Sequence, residues 1–508
     1  MSFTRSAGVL LHPSSLPGGQ GIGDFGAAAR QFLDYLQRAK QTLWQVLPLG
    51  AVNDSGSPYQ TFSSFAGNPL FIALDDLVAA GLLRDEDLRD APGNDKRADF
   101  SAARNFKMPR LRQAFDLFRR GATGAAAANF QRFKEAEKFW LDDYALFAAA
   151  RERFGGKPWW RWDDAGLVKH APDAVKHWAA ELADAGEFVK WTQFVFYAQW
   201  LGLKKRANAA GIKIIGDIPI YPAHDSADVW AAPEFFALDR ATGEARVVAG
   251  VPPDYFCADG QLWGNPVYDW EAVKKDNYRW WAMRLRAALR QTDILRLDHF
   301  RGFEAYWATP ATEKTARNGK WVSGPGADFF AAMQREIGDD LPLIAEDLGV
   351  ITPAVNKLRD ECGFPGMKVL QFAFADGANF YRPHTYATNS VVYTGTHDND
   401  TTRGWYAGGA DYANIGRDVF AQERDLCRRY LATDGRNIHW DLIRAALASV
   451  AVFAVYPLQD ILGLGNDCRM NRPGSGEGNW TWRLTADQLA NAEVNYLREL
   501  TELFDRAG

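Results

Sequence analysis

The sequence predicts an α/β fold built on a closed (β/α)8 TIM barrel. Eight short apolar runs of strand length lie along the chain, and helical patterns follow most of them. Three of the runs end on acidic residues. A strand buried on both faces gains nothing structural from an unpaired charge at its tip. Acids gathered at one end of such a barrel form a reactive pocket.

The eight runs fall at about 7–12, 42–48, 212–218, 294–298, 343–346, 368–374, 391–396 and 450–457. The last overlaps a stretch, 443–456, that reads equally well as one buried helix. From the fifth run to the seventh, starts are about 25 residues apart, close to a minimal strand–helix unit. Between the second and third lie about 160 residues, and 110–119, 130–153 and 187–208 carry apolar residues at three- and four-residue steps. The Ala-rich stretch 121–128 reads as a turn or helix joint. A second long connection, beginning at Tyr221, is rich in Pro, Gly and aromatics and reads as loop and short strand. The expected organisation is one catalytic domain over 1–508. It carries a mainly helical insertion at about 51–210 after the second strand and a loop-rich one at about 221–290 after the third. No separate C-terminal β-domain is expected, because only about fifty residues follow the last run.

Composition narrows the class. The 508 residues are 47% hydrophobic and 24% charged, values that permit a large core. A net charge of −5 argues against nucleic acid or an anionic membrane surface as partner. Four cysteines without a C-x-x-C pair fit a reduced cytoplasmic setting, and Cys257 reads as a packing residue. No apolar leader segment and no 18-residue apolar run are present. Nineteen Trp suit a core, and they also suit stacking on the flat C–H faces of sugars.

The acidic tips carry the chemistry. Asp298 ends Ile294-Leu295-Arg296-Leu297-Asp298-His299, with Arg296 two residues earlier on the same side of the strand. A neighbouring cation favours the ionised form that a nucleophile needs, although a structural Arg–Asp pair would look the same. Glu346 follows Leu343-Ile344-Ala345 and precedes Asp347. Burial and the like charge next door are expected to raise its pKa, which suits a general acid. Thr352-Pro353 supplies the cap of the next helix, so Glu346 is not needed for it. The third tip, Thr396-His397-Asp398-Asn399-Asp400, crowds polar groups into one loop, where Asn399 and Asp400 read as a hydrogen-bonded turn. Asp217, inside the third strand, needs a buried partner, and Arg296 is the expected one. Paired carboxylates of this kind break and remake glycosidic bonds.

Other motifs fall short. Gly21-Ile22-Gly23-Asp24-Phe25-Gly26 matches G-x-G-x-x-G, but eight loop residues separate it from the first strand and no ribose-binding acid ends the second. The eight His lack metal-ligand spacing. No metal or cofactor is expected.

The chain resembles the amylomaltases, the 4-α-glucanotransferases of glycoside hydrolase family 77. The blocks that carry the likeness span nearly the whole sequence. They include Leu11-His12-Pro13-Ser14-Ser15-Leu16-Pro17, Ser57-Pro58-Tyr59-Gln60, Gly216-Asp217-Ile218-Pro219 and Pro252-Pro253-Asp254-Tyr255-Phe256. They continue through Gly260-Gln261-Leu262-Trp263-Gly264, Arg296-Leu297-Asp298-His299-Phe300-Arg301-Gly302, Ala345-Glu346-Asp347-Leu348-Gly349, Thr396-His397-Asp398-Asn399 and Arg469-Met470-Asn471-Arg472-Pro473. The resemblance implies a retaining double displacement. In it Asp298 is nucleophile, Glu346 acid/base and Asp398 transition-state stabiliser. It also implies substrate-binding positions at Tyr59, Asp217, Asp254, Gln261, Trp263, Arg296, His397 and Asn471. The implied partners are maltodextrins and starch- or glycogen-derived α-glucans, with glucose as acceptor. An α-1,4-glucan hydrolase on a related barrel, or a non-catalytic glucan-binding protein, is the alternative reading.

Overall fold

Strands covered on both faces are mostly apolar, and the runs read above form such strands. In the computed structural model they are β1 (Ser6–Leu10), β2 (Leu43–Gln45), β3 (Lys213–Pro219), β6 (Ile294–Asp298), β9 (Leu343–Ala345), β10 (Gly366–Val369), β11 (Ser390–Tyr393) and β12 (Phe453–Pro457). The intervening labels belong to a second sheet: β4 (Val247–Val251), β5 (Gln261–Pro266), β7 (Ala305–Pro310) and β8 (Lys320–Ser323). The structure describes residues 3–507 apart from 54, 94–95, 122, 254–258, 376, 378 and 410–416.

The eight barrel strands close in the order β1-β12-β11-β10-β9-β6-β3-β2, and every pairing is parallel. Closure brings β1 and β2 very near at one point. A Cβ on Gly8 would sit 2.3 Å from Cβ of Leu43, so glycine is required there. The eighth strand is preceded by a helix at Ile438–Ala448, so the ambiguous stretch holds both a helix and a strand. The sixth is shorter than its apolar run, because Leu370–Phe374 turns into a 3-10 helix.

Between β2 and β3 the chain is mostly helical, with long helices at Phe100–Gly121, Lys138–Arg153 and Ala183–Ala209. The Ala-rich stretch is a joint, with Gly124 at positive φ and a new helix from Ala125. The connection after β3 holds the short strand read there from the sequence. Its β4 and β5 pair with β7 and β8, from the connection after β6, in an antiparallel sheet ordered β5-β4-β7-β8. Trp44, Trp159, Trp191, Trp200, Trp230 and Trp281 are fully buried, so much of the tryptophan fills the core. Carbonyls of Leu16 and Gly21 near the glycine-rich loop accept from the buried Arg483 guanidinium, an arrangement opposite in polarity to a phosphate cradle. Among the described residues, no helix is long and apolar enough to cross a membrane.

Candidate active site

The site lies at the C-terminal ends of the barrel strands, where this architecture leaves side chains free to meet. Arg296 on β6 is the hub. Its Nη1 lies 2.8 Å from Oδ1 of Asp298 and donates to both oxygens of Asp217 on β3, at 3.0 and 2.8 Å. The guanidinium is buried, so the two flanking acids offset its desolvation and hold its pKa well above the ordinary value. Asp217 also accepts from the Tyr59 hydroxyl at 2.8 Å. Burial pushes the Asp217 carboxyl up to about 7, against the pull of Arg296.

Tyr59 has one proton, and burial together with Asp217 keeps it on the phenol. That proton goes to Asp217. His397 Nε2, 3.0 Å from the same hydroxyl and 3.3 Å from Oδ1 of Asp398, must therefore supply the proton of its own contact. The tautomer assigned by this network is Nε2–H, and burial holds the ring neutral by lowering its pKa. Asp398 also accepts from Asn471 Nδ2 at 2.6 Å. Seven residues named from the sequence (Tyr59, Asp217, Arg296, Asp298, His397, Asp398 and Asn471) thus form one connected network.

Glu346 enters the site differently. Its Oε2 accepts from the backbone N–H of His299 at 2.7 Å and its Oε1 from that of Leu348 at 2.8 Å. His299, directly after Asp298, adopts a left-handed backbone with φ 56° and so turns its N–H toward the acid. Burial, with Asp298 adding its like charge against the pull of Arg296, raises the Glu346 carboxyl to about 7. Asp347 is not the source of that like charge. It turns away to Arg359 Nη1 at 2.5 Å and to the N–H of Met367 at 2.7 Å, because its side chain leaves the backbone on the opposite face from Glu346.

A stability consequence follows from the Glu346 shift. An acid whose folded pKa exceeds its unfolded value binds a proton in the native state that the unfolded chain has lost. Its contribution to stability therefore falls as pH rises from the ordinary glutamate range, 4.5, to about 7. The stability of Glu346→Gln relative to the parent is expected to be greater at pH 8 than at pH 4 by on the order of 1–3 kcal/mol. Urea unfolding of both proteins at the two pH values checks this, and a gap that does not depend on pH would contradict it.

Gln261 and Trp263 lie on β5, the edge of the second sheet. Trp263 Nε1 donates to Oε1 of Gln261 at 3.1 Å, and the indole meets the His299 ring edge-on at 4.8 Å between centroids. The sheet thereby reaches the turn between Asp298 and Glu346. Asp254, with Tyr255, Phe256 and Cys257, lies outside the described residues. Asn399 serves its turn, as read from the sequence, accepting from Thr396 N–H at 2.8 Å. Among the described residues no group of three or more His, Cys, Asp or Glu is arranged to hold a metal ion.

Sequence reasoning missed several residues. Arg469 fixes the third acidic loop by donating to Asp400 and to the Asp398 carbonyl, both at 2.5 Å. It stands in a recognised block, but nothing in that block says which carbonyl it meets. The buried Trp480 lies 5.9 Å from the rings of both Tyr59 and His397. The N–H groups of His299 and Leu348 carry no side-chain signal at all.

A family model described as 4-alpha-glucanotransferase, glycoside hydrolase family 77, matches residues 11–489. The chain belongs to that family. The 4-alpha-glucanotransferase of Synechocystis sp. is 49% identical over 99% of this chain and 98% of its own length. That of Thermus thermophilus is 46% identical, with both chains fully covered. The amylomaltase of Streptococcus agalactiae, solved in complex with acarbose, superposes with a TM-score of 0.93 at 37% identity, covering 99% of this chain and 100% of that one. This family 77 chain is accordingly an enzyme of the glucan-transferring class, on a (β/α)8 barrel, and neither the hydrolase nor the non-catalytic reading is favoured.

Proposed function

We propose that this 4-α-glucanotransferase works by a retaining double displacement in which Asp298 is the nucleophile, Glu346 the acid/base and Asp398 the stabiliser of the charged ring. The carboxylate of Asp298 attacks the anomeric carbon of a donor maltodextrin. Glu346 gives its proton to the departing 4-oxygen, and a glycosyl ester forms on Asp298. The ionised Glu346 then takes the proton from the 4-hydroxyl of an acceptor glucose or glucan. That oxygen attacks the same carbon and frees Asp298. Atoms and protons balance over the cycle.

The observation that carries this reading is the contrast between the two acids. Asp298 is ion-paired to Arg296 at 2.8 Å, whereas Glu346 accepts, among the described residues, from the backbone N–H groups of His299 and Leu348 and is buried, which favours its proton. Two carboxyls in such unlike surroundings have unlike tasks. The substrate-binding positions are Tyr59, Asp217, Arg296 and His397 around the ring at the cleavage point, Asn471 behind Asp398, and Gln261 and Trp263 toward the acceptor, with Asp254 as a further substrate-binding residue. The barrel and both insertions act as one catalytic domain over 1–508. Starch- or glycogen-derived chains serve as donors in a cytoplasmic setting, which fits the three free cysteines among the described residues and the net charge of −5.

Transfer exceeds hydrolysis when the acceptor side holds sugar and excludes water. The second sheet, with Trp263 against His299, supplies that wall. Pure protein given maltotriose is expected to release glucose while building a ladder of longer maltodextrins, with total reducing ends nearly constant. Reducing ends that climb steadily, resolved by chromatography and a reducing-sugar assay, would contradict the reading.

A further inference from the structure

Arg301 stands three residues past Asp298, in the short 3-10 turn Phe300–Phe303, and is 5% exposed. A buried guanidinium ordinarily meets a carboxylate. Among the described residues none is in ion-pair contact with this one. Burial instead pulls its pKa down, with Glu304 as the opposing charge. Its partners are of another kind. Nη1 donates to the backbone carbonyl of Val350, Nε donates to the carbonyl of Ala305 at 3.4 Å, and the guanidinium carbon lies 3.8 Å from the ring centre of Trp321.

Those partners belong to the acid/base segment and to the second sheet. Val350 is four residues beyond Glu346, Ala305 begins β7, and Trp321 stands on β8. Asp347 is already pinned by Arg359 and Met367 N–H. Beyond it, Leu348 must hold its N–H on Glu346 Oε1, and the next residue, Gly349, has a φ of +86°, a conformation that glycine adopts without strain. The carbonyl taken by Arg301 follows directly.

We infer that Arg301 is a positioning residue that fastens the acid/base segment 346–350 to the nucleophile turn and to the second sheet, with Trp321 as the face that keeps its guanidinium in plane. The inference rests on the roles proposed for Asp298 and Glu346. Losing the tie frees Leu348, so Glu346 no longer points steadily at the leaving oxygen. The cost should fall on donors that need a proton. It should spare α-maltosyl fluoride, whose fluoride departs unaided in the first step.

Arg301→Ala and Trp321→Ala test this together, the second at a side chain 40% exposed whose loss the fold tolerates more readily. Arg301→Ala is expected to lower kcat on maltotriose by about tenfold or more with little change in KM. Single-turnover fluoride release should stay within about threefold of the parent. Trp321→Ala should move both readouts in the same sense and less far, and Arg301→Lys, which keeps a donor for Val350 but no planar fork, should fall between. Unchanged maltotriose turnover in both alanine variants, or equal loss on both donors, would overturn the inference. Glu346→Gln run alongside separates the two levels. If it keeps its maltotriose rate, the proposed acid/base role fails; if it loses that rate while the Arg301 and Trp321 variants keep theirs, only the tie fails.

Discussion

Replacing Asp298 by Asn is expected to lower kcat for maltotriose disproportionation on the order of 10^4-fold, with the fold intact. The amide keeps the size of the carboxylate and loses its charge and nucleophilicity. Arg296 would still hold both oxygens of Asp217, so no buried cation is orphaned and the barrel end stays paired. Glucose release checks the rate, and far-UV dichroism with a thermal melt checks the fold. A variant that folds and retains a rate within tenfold of the parent would show that Asp298 is a structural partner of Arg296, the alternative that its sequence context left open.

Glu346→Gln should cost roughly 10^2- to 10^4-fold on maltotriose and much less in the first step with α-maltosyl fluoride. Glutamine keeps an oxygen to accept from His299 or Leu348 N–H but has no proton to give. The pH profile carries the sign. A general acid works while protonated, so kcat/KM for maltotriose in the parent is expected to fall as pH rises through about 7, where the raised Glu346 carboxyl titrates. In the glutamine variant that alkaline limb should be missing. Added azide, which needs no base to attack the glycosyl ester, should restore turnover of the fluoride and give the retained α-glycosyl azide. A limb unchanged in the variant would assign the titration to another group.

The barrel was legible because its signal is local: a strand covered on both faces is a short apolar run, and eight such runs can be counted. The tips Asp298, Glu346 and Asp398 were legible for the same reason, since charge at the end of an apolar run stands out. Arg296 was readable as a partner of Asp217 and Asp298 because period-two alternation puts residues 296 and 298 on one side. Short strand was readable in the connection after β3, but the sheet it forms with β7 and β8 was not. β7 and β8 are half-exposed and mixed in polarity, and β4 finds β7 only after the chain has passed through a barrel strand. Asp347 adjoins Glu346 in sequence but not in space, because its carboxylate is turned to Arg359 and the N–H of Met367. The N–H groups that cradle Glu346 depend on a left-handed residue at His299, a type that does not announce positive φ. The tie through Arg301 ends on a carbonyl and a ring face, contacts that no sequence pattern encodes.

The central claim is that Asp298 carries the sugar between donor and acceptor. It is tested most directly by trapping that ester with a 5-fluoro-α-glycosyl fluoride, digesting the protein and locating the added mass by tandem mass spectrometry. The expected result is a single glycosylated peptide with the label on Asp298, absent from the Asp298→Asn variant. Label on Glu346, on Asp398 or elsewhere, or full inactivation without any covalent adduct, would contradict it.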